Sequence, residues 1–179
     1  MPEGNGKMIL IADLEGNGFL ETIDKIWCVV FKEYHKDNWW LFTDEEYPKS
    51  LDKVENLHIY GIKCLPSLFR KGNQMFWHNG FVYDIPVLNK LLPQYNNLFK
   101  KPDIKDTLVM SRVLNPDRLS GHALKEWAVK LKGPQKVEQE VWDRWDPNMI
   151  KRCKNDVLIT EGVLDALLVE IKKNERLFN

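Results

Sequence analysis

Apolar residues in this chain come in short runs separated by polar punctuation, and the pattern changes character halfway along. Met8–Ala12 is an unbroken apolar run closed by Asp13, which predicts a buried strand with a polar end. Ile26–Tyr34 and Asn38–Thr43 are rich in β-branched and aromatic residues and are joined through the turn-like His35–Asn38, so they predict a hairpin. The spacing gives no clear element over 48–63. Ser67–Lys71 predicts a helix stopped by Gly72-Asn73, and Gln74–Trp77 a strand running into the turn His78-Asn79-Gly80.

The second half has helical periodicity. Ile85–Leu92 accommodates Pro86 in its first turn, where the missing N–H is harmless. Thr107–Leu114 is stopped by Asn115-Pro116-Asp117. Ala123, Leu124, Trp127, Ala128 and Leu131 line one face of a helix over Ser120–Leu131. A long helix is expected from Pro147 through Ile171, with Ile150, Cys153, Val157 and Leu164 on its buried side. Strands first and helices after predict one α/β domain over residues 8–179, preceded by a flexible leader at 1–7.

Composition narrows the class. With 44% hydrophobic and 29% charged residues among 179, the chain is an ordinary globular protein. The longest apolar runs are far short of the roughly 18 residues of a membrane span, and the N-terminus does not read as a secretory signal. Cys28, Cys64 and Cys153 have no paired spacing, which speaks against a disulfide framework or a Cys/His zinc site. A soluble protein of the reducing cytoplasm, with no membrane partner, is expected (host cytoplasm if the chain is viral). Twenty-six basic residues balance 26 acidic ones, but residues 100–136 hold nine Lys/Arg against four Asp/Glu.

Candidate chemistry lies in three acidic features. Asp13 and Glu15 alternate along a strand, so both carboxylates face one way while Leu14 faces the other. Gly16 and Gly18 follow, leaving room near the backbone for a ligand. Asp84 is delivered by the turn Trp77–Asp84 at a helix start, and Asp156 lies on the long last helix. Each alone has a plain explanation as a strand end, an N-cap or a helix-surface acid. Together the four could form an oxygen-rich cage for magnesium or manganese, hard cations that prefer such ligands. Two such ions about 4 Å apart are a standard device for phosphoryl transfer.

In order and spacing, Asp13-x-Glu15, the segment His78-Asn79-Gly80-x-x-Tyr83-Asp84, and Asp156 resemble the three motifs of the DEDD 3′–5′ exonucleases. The stretches HNGFVYDIPVL (78–88), DTLVMSRVL (106–114) and GHALKEWAVKL (121–131) are similar to the proofreading exonuclease domain of short-tailed-phage family A DNA polymerases. The resemblance implies a ribonuclease H-like fold with a mixed central sheet flanked by helices. It implies hydrolysis of single-stranded or frayed DNA 3′ ends with two Mg2+ or Mn2+ ions. Asp13, Glu15 and Asp156 would hold the first ion, and Asp13, with Asp84 acting through water, the second. Glu15 would also receive the terminal 3′-hydroxyl. Phe19 falls where the family has an apolar wedge, and Leu14, Gly16, His78, Asn79 and Tyr83 would line the substrate. No polymerase domain follows in this sequence, so a nuclease that stands alone or serves a separate polymerase is expected.

One position departs from the family. Where its tyrosine branch carries tyrosine, four residues before the last aspartate, this chain has Arg152, and Lys151 stands where the histidine branch has its base. Neither is a general base in an ordinary environment. Arg152 either pairs with Asp156 at i,i+4 or contacts the scissile phosphate. The alternative function is therefore a weakly active or inactive module that binds nucleic acid or a protein partner, and a third reading takes short RNA as substrate. His78 and His122 are read as hydrogen-bonded structural residues, Trp39-Trp40 as one core ring and one exposed ring, and Trp142 and Trp145 as anchors of the loop before the last helix. Asp106 is either near the site or a helix cap.

Overall fold

A computed structural model describes residues 7–70, 72–99, 103–137 and 142–178. The expected leader, apart from Lys7, lies outside the described residues. A six-stranded mixed sheet has the order β4-β3-β2-β1-β5-β6, formed by β1 (Ile9–Gly16), β2 (Ile26–Glu33), β3 (Trp39–Phe42), β4 (Leu57–Tyr60), β5 (Gln74–Trp77) and β6 (Ile104–Asp106). β1 pairs antiparallel with β2 and parallel with β5, while β2 and β3 form the expected hairpin. Five helices follow: α1 (Pro66–Arg70), α2 (Asp84–Leu91), α3 (Thr107–Leu114), α4 (Leu124–Leu131) and α5 (Asn148–Phe178). Among the described residues, no helix is long and apolar enough to cross a membrane.

Strand alternation divides the core in two. Leu10, Ala12 and Leu14 of β1, with Val29 and Phe31 of β2, pack on the side holding Leu68, Phe69, Ile85 and Leu88. Ile11, Cys28 and Val30 face the other way, against Ile150, Cys153, Val157 and Leu164 of α5. The far side of α5, through Ile159, Val163 and Leu167, carries Leu124, Trp127 and Ala128 of α4. The long helix is thus sandwiched between the sheet and a second helix layer, which explains apolar residues around so much of its circumference.

Several boundaries differ from expectation for local reasons. α4 starts at Leu124 rather than Ser120, because Gly121 sits at φ +77° and the Glu126 carboxylate accepts the Ala123 N–H, fixing the first turn there. β4 is a half-buried edge strand and β6 only three residues long, too little for a clear period. Trp39 and Trp40 are both buried, which corrects the expectation of one exposed ring. Trp40 enters the core beside Phe42, while Trp39 packs toward α5 with the Lys32 and Lys154 ammonium groups 5.7 and 4.8 Å from its ring.

Asp106 joins two parts of this frame. It is 3% exposed and caps α3, accepting the Leu108 N–H at 2.8 Å and that of Val109 at 3.4 Å; it also accepts the N–H groups of Asn79 and Phe81, both at 3.0 Å. The cap role is the one the structure favours. Asp106→Ala strands these buried donors, at a cost of about 1–3 kcal/mol for unsatisfied groups. Urea unfolding should show a loss of that order, with a smaller loss for Asp106→Asn, which keeps one acceptor oxygen.

Candidate functional site

The parallel strands β1 and β5 end on the same side of the sheet, beside the point where β1 also borders antiparallel β2. In open α/β sheets the crevice beyond such strand ends is where ligands bind. Here a cleft of about 640 Å³ lies at that position. Its lining includes Asp13, Glu15, Asp84 and Asp156, together with Phe19, His78, Asn79, Tyr83 and Arg152.

Three of the four acids converge tightly. Asp13 and Glu15 lie on the α5-facing side of β1, and Asp156 meets them from the helix, each offering an oxygen within 4.8 Å of the others. The Cys153 thiol donates to the Asp13 carbonyl at 3.2 Å, fastening helix to strand next to this group. Asp84 stands outside the trio. Its carboxyl is buried at the first residue of α2, and α2 has no side-chain bond at its N-cap, Tyr83. Asp84 lines the cleft from the start of α2.

Burial pushes all four acids toward the protonated form, and repulsion by neighbouring acids adds to it for Asp13, Glu15 and Asp84. Burial raises Asp13 well above its usual range, and Asp156 and Glu15 raise it further. Glu15 is pushed up to about 8 by burial, with Arg152 and Lys136 opposing the effect of Asp156. Asp84 is raised well above normal by burial and by Asp13, and Asp156 is raised by burial while Lys136 pulls it down.

Two cations answer this repulsion, and their partners differ from expectation. Arg152 Nε lies 3.0 Å from Glu15 Oε1, not on Asp156, and its guanidinium stacks 4.1 Å above the Trp142 ring. The pair lacks an aligned hydrogen bond from Nε, so its attraction is coulombic. Asp156 instead holds Lys136, with Nζ to Oδ2 at 3.0 Å. Stacking on Trp142, in the segment before α5, accompanies the turn of Arg152 toward β1. Lys136 was not singled out by any motif; its only signal was membership of the basic stretch 100–136. Lys151 is exposed and lies outside the cleft lining.

The other candidate residues divide into cleft and scaffold. Phe19 is 81% exposed on a loop that is firmly closed: its carbonyl accepts the Thr22 and Ile23 N–H groups, and Lys90 donates to the carbonyls of Leu20 and Glu21. Tyr83 donates to the Gly18 carbonyl at 2.6 Å, and burial pushes its hydroxyl up to about 12. Asn79 takes a left-handed turn at φ 64°, tolerated by asparagine. His78 bonds Thr107 Oγ1 through Nδ1 at 2.9 Å, and burial lowers it to about 4, so the ring is neutral at pH 7. Leu14 is 4% exposed and largely core. Gly16 lies outside the lining: a Cβ there would stand 2.3 Å from Ile23 Cδ1, so its open space serves loop packing rather than a ligand. His122 bonds Ser111 at 2.8 Å, while Trp145 donates to the Glu46 carbonyl and Trp27 to that of Trp142, anchoring the loop before α5.

The residues fit a divalent cation. Three hard oxygen donors surround one small volume, and Asp156 Oδ1 is buried there with no hydrogen-bond partner. A cation would satisfy that oxygen and relieve the repulsion that raises the acids.

Fold and site together narrow the class: the chain has the mixed, helix-flanked sheet of the ribonuclease H-like nucleases, with four acids gathered in one cleft. No protein-family model matches the chain. It is 25% identical to a DNA-directed DNA polymerase of Enterobacteria phage T3 and 24% identical to one of Escherichia phage T7, each over 89% of this chain. The chain spans about a quarter of the length of these curated relatives, 26% in both cases. In structure it is similar to a nuclease solved in its apo form, with a TM-score of 0.64 at 17% identity over 95% of this chain and 76% of that one. NrnC of Brucella melitensis is also similar: with bound Mg2+ its TM-score is 0.60 at 13% identity, and bound to pGG 0.64 at 14%, each covering 97% of this chain and 78% of that one. These likenesses bear out the resemblance to the DEDD exonucleases and the expected fold.

The raised carboxyls make metal-free stability depend on pH. Glu15 holds its proton in the folded state up to about 8, against 4.5 ordinarily. Its contribution is thus full below 4.5 and is lost as pH rises through about 8. Thermal melts in chelator should fall across that window, and Glu15→Gln, which cannot ionise, should flatten the slope. An equal slope in both proteins would count against a raised Glu15.

Proposed function

We propose that residues 8–179 form a metal-dependent 3′–5′ exonuclease domain that removes nucleoside monophosphates from single-stranded or frayed DNA ends. The observation that carries this reading is the trio Asp13, Glu15 and Asp156, gathered within 4.8 Å around the unpartnered, buried Asp156 Oδ1. The similarity to phage DNA polymerases favours DNA over RNA and supports a proofreading role.

Two Mg2+ or Mn2+ ions bound by Asp13, Glu15, Asp84 and Asp156 would supply the acidity for water and the charge stabilisation at phosphate that hydrolysis needs. The chain's own groups do the rest. Phe19, exposed at the cleft, stacks on a terminal base, a contact that tolerates any sequence. Tyr83 holds the loop bearing Phe19 through its bond to Gly18. Glu15 accepts the terminal 3′-hydroxyl and fixes the strand end. Water oxygen forms the new bond to phosphorus as the bond to the 3′-oxygen of the preceding nucleotide breaks; the water proton leaves to solvent, and the departing 3′-oxygen takes a proton from solvent to become the new 3′-hydroxyl. Arg152, braced on Trp142, turns from Glu15 to the scissile phosphate and stabilises the charge that builds there.

The Arg152–Glu15 pair also favours a second reading, a weakly active or inactive module that binds a nucleic-acid strand or a protein partner. Digestion of a 5′-labelled oligodeoxynucleotide with manganese separates the two. The exonuclease should produce a 3′-shortening ladder that Asp13→Ala abolishes, and equal products from both proteins, or none from either, would sink the reading. Phe19→Ala should raise KM about tenfold, since a stacked base contributes about 1–3 kcal/mol. Arg152→Ala should lower kcat about a hundredfold if its guanidinium supports the transition state. A gain with Arg152→Tyr would instead mark the arginine as a brake.

A further inference from the structure

The two oxygens of Asp156 have unequal surroundings. Oδ1 is buried without a partner, while Oδ2 holds Lys136 Nζ at 3.0 Å. Lys136 comes to the site from the segment between α4 and α5, and that segment is tethered. The Asn155 side-chain amide donates to the Gln135 carbonyl, one residue before Lys136, and the Gln135 amide donates to the Gly133 carbonyl at 3.0 Å. The lysine side chain is 29% exposed and lines the same cleft as Phe19 and the acids. Its charge also reaches past Asp156, pulling down both Asp13 and Glu15.

A divalent cation held by Asp13, Glu15 and Asp156 therefore enters a site in which two carboxylates already have a cation, Arg152 on Glu15 and Lys136 on Asp156. Ammonium and metal repel each other at such range, so the lysine must withdraw or weaken metal binding. Once withdrawn, it still faces the cleft proposed to take a strand, and an incoming phosphodiester is an anion that restores its partner.

We propose that Lys136 is a place-holder cation: it neutralises Asp156 in the metal-free protein, yields to a divalent ion, and then pairs with a phosphate of the bound strand, so that metal and strand strengthen each other's binding. The coupling is reciprocal, as any linkage between two binding equilibria must be. This inference rests on the cleft being a metal-dependent strand-binding site.

Calorimetric titration of Mn2+ tests it without reference to turnover. The probes are a short oligothymidylate whose 3′-terminal linkage is an anionic phosphorothioate and one whose linkage is a neutral methylphosphonate. In the wild-type protein the phosphorothioate strand should tighten Mn2+ binding about tenfold, a coupling of ~1.4 kcal/mol, and the methylphosphonate strand should not. Lys136→Met should bind Mn2+ about tenfold more tightly than wild type without any strand, again ~1.4 kcal/mol, and should lose the strand dependence. Lys136→Arg, which keeps the cation, should behave as wild type. Equal Mn2+ affinity in wild type and Lys136→Met, with coupling retained in both, overturns the role of Lys136 while leaving the metal site standing. Absence of Mn2+ binding in both proteins overturns this inference together with the metal-dependent reading beneath it.

Discussion

Carboxylates that crowd together out of water must find positive charge or keep their protons, and the architecture around this cleft follows from that constraint. Asp13, Glu15 and Asp156 bring oxygens within 4.8 Å of one another, and Glu15 and Asp156 are almost fully buried. Desolvation alone would protonate them. The cations at its edges, Arg152 on Glu15 and Lys136 on Asp156, both at 3.0 Å, oppose that shift without cancelling it. Each holds one oxygen, and Asp156 Oδ1 is left unpartnered.

The fold supplies the convergence through two regular periods. A strand places Asp13 and Glu15 on one face with Ile11, against α5; the helix places Asp156 beside Cys153 and Val157 on the face that packs back. Neither geometry depends on a flexible loop, so the acids are held by the core itself. The connecting turns are fixed just as firmly. Asp106 binds the Asn79 turn to the start of α3, and Tyr83 binds the start of α2 to the loop that exposes Phe19. The Phe19 ring is 81% exposed on that well-bonded loop, in the lining of the cleft.

What could be read from the sequence was what periodicity encodes. The strand alternation of Asp13 and Glu15, the hairpin and the amphipathic stretches of α3 and α5 were all legible, because a buried face leaves a repeating mark on the chain. β4 and β6 left none, being an edge strand and a three-residue strand. Trp39 misled because its outer face is covered by lysine stems, contacts made across the fold rather than along it. Lys136 stayed hidden for the same reason. It meets Asp156 across the fold, next to Gln135, whose carbonyl is fastened by Asn155, and a lone lysine in a basic stretch carries no spacing to reveal that.

Arg152 gains a different meaning from this arrangement. Read along the helix, i,i+4 spacing made Asp156 its natural partner; in three dimensions Lys136 takes that carboxylate and Arg152 takes Glu15, braced by Trp142. A tyrosine in its place, as in the family's tyrosine branch, would bring a hydroxyl to the site but no charge, leaving Glu15 without its counter-ion. The arginine therefore exchanges a group that can orient water for one that balances charge when no metal is bound. With a cation on each of two acids, the cleft tolerates the metal-free state better than a bare acidic cage would. That tolerance would have a cost if the cleft binds metal and strand as proposed, since a metal entering there must compete with a resident cation for a carboxylate that already has a partner.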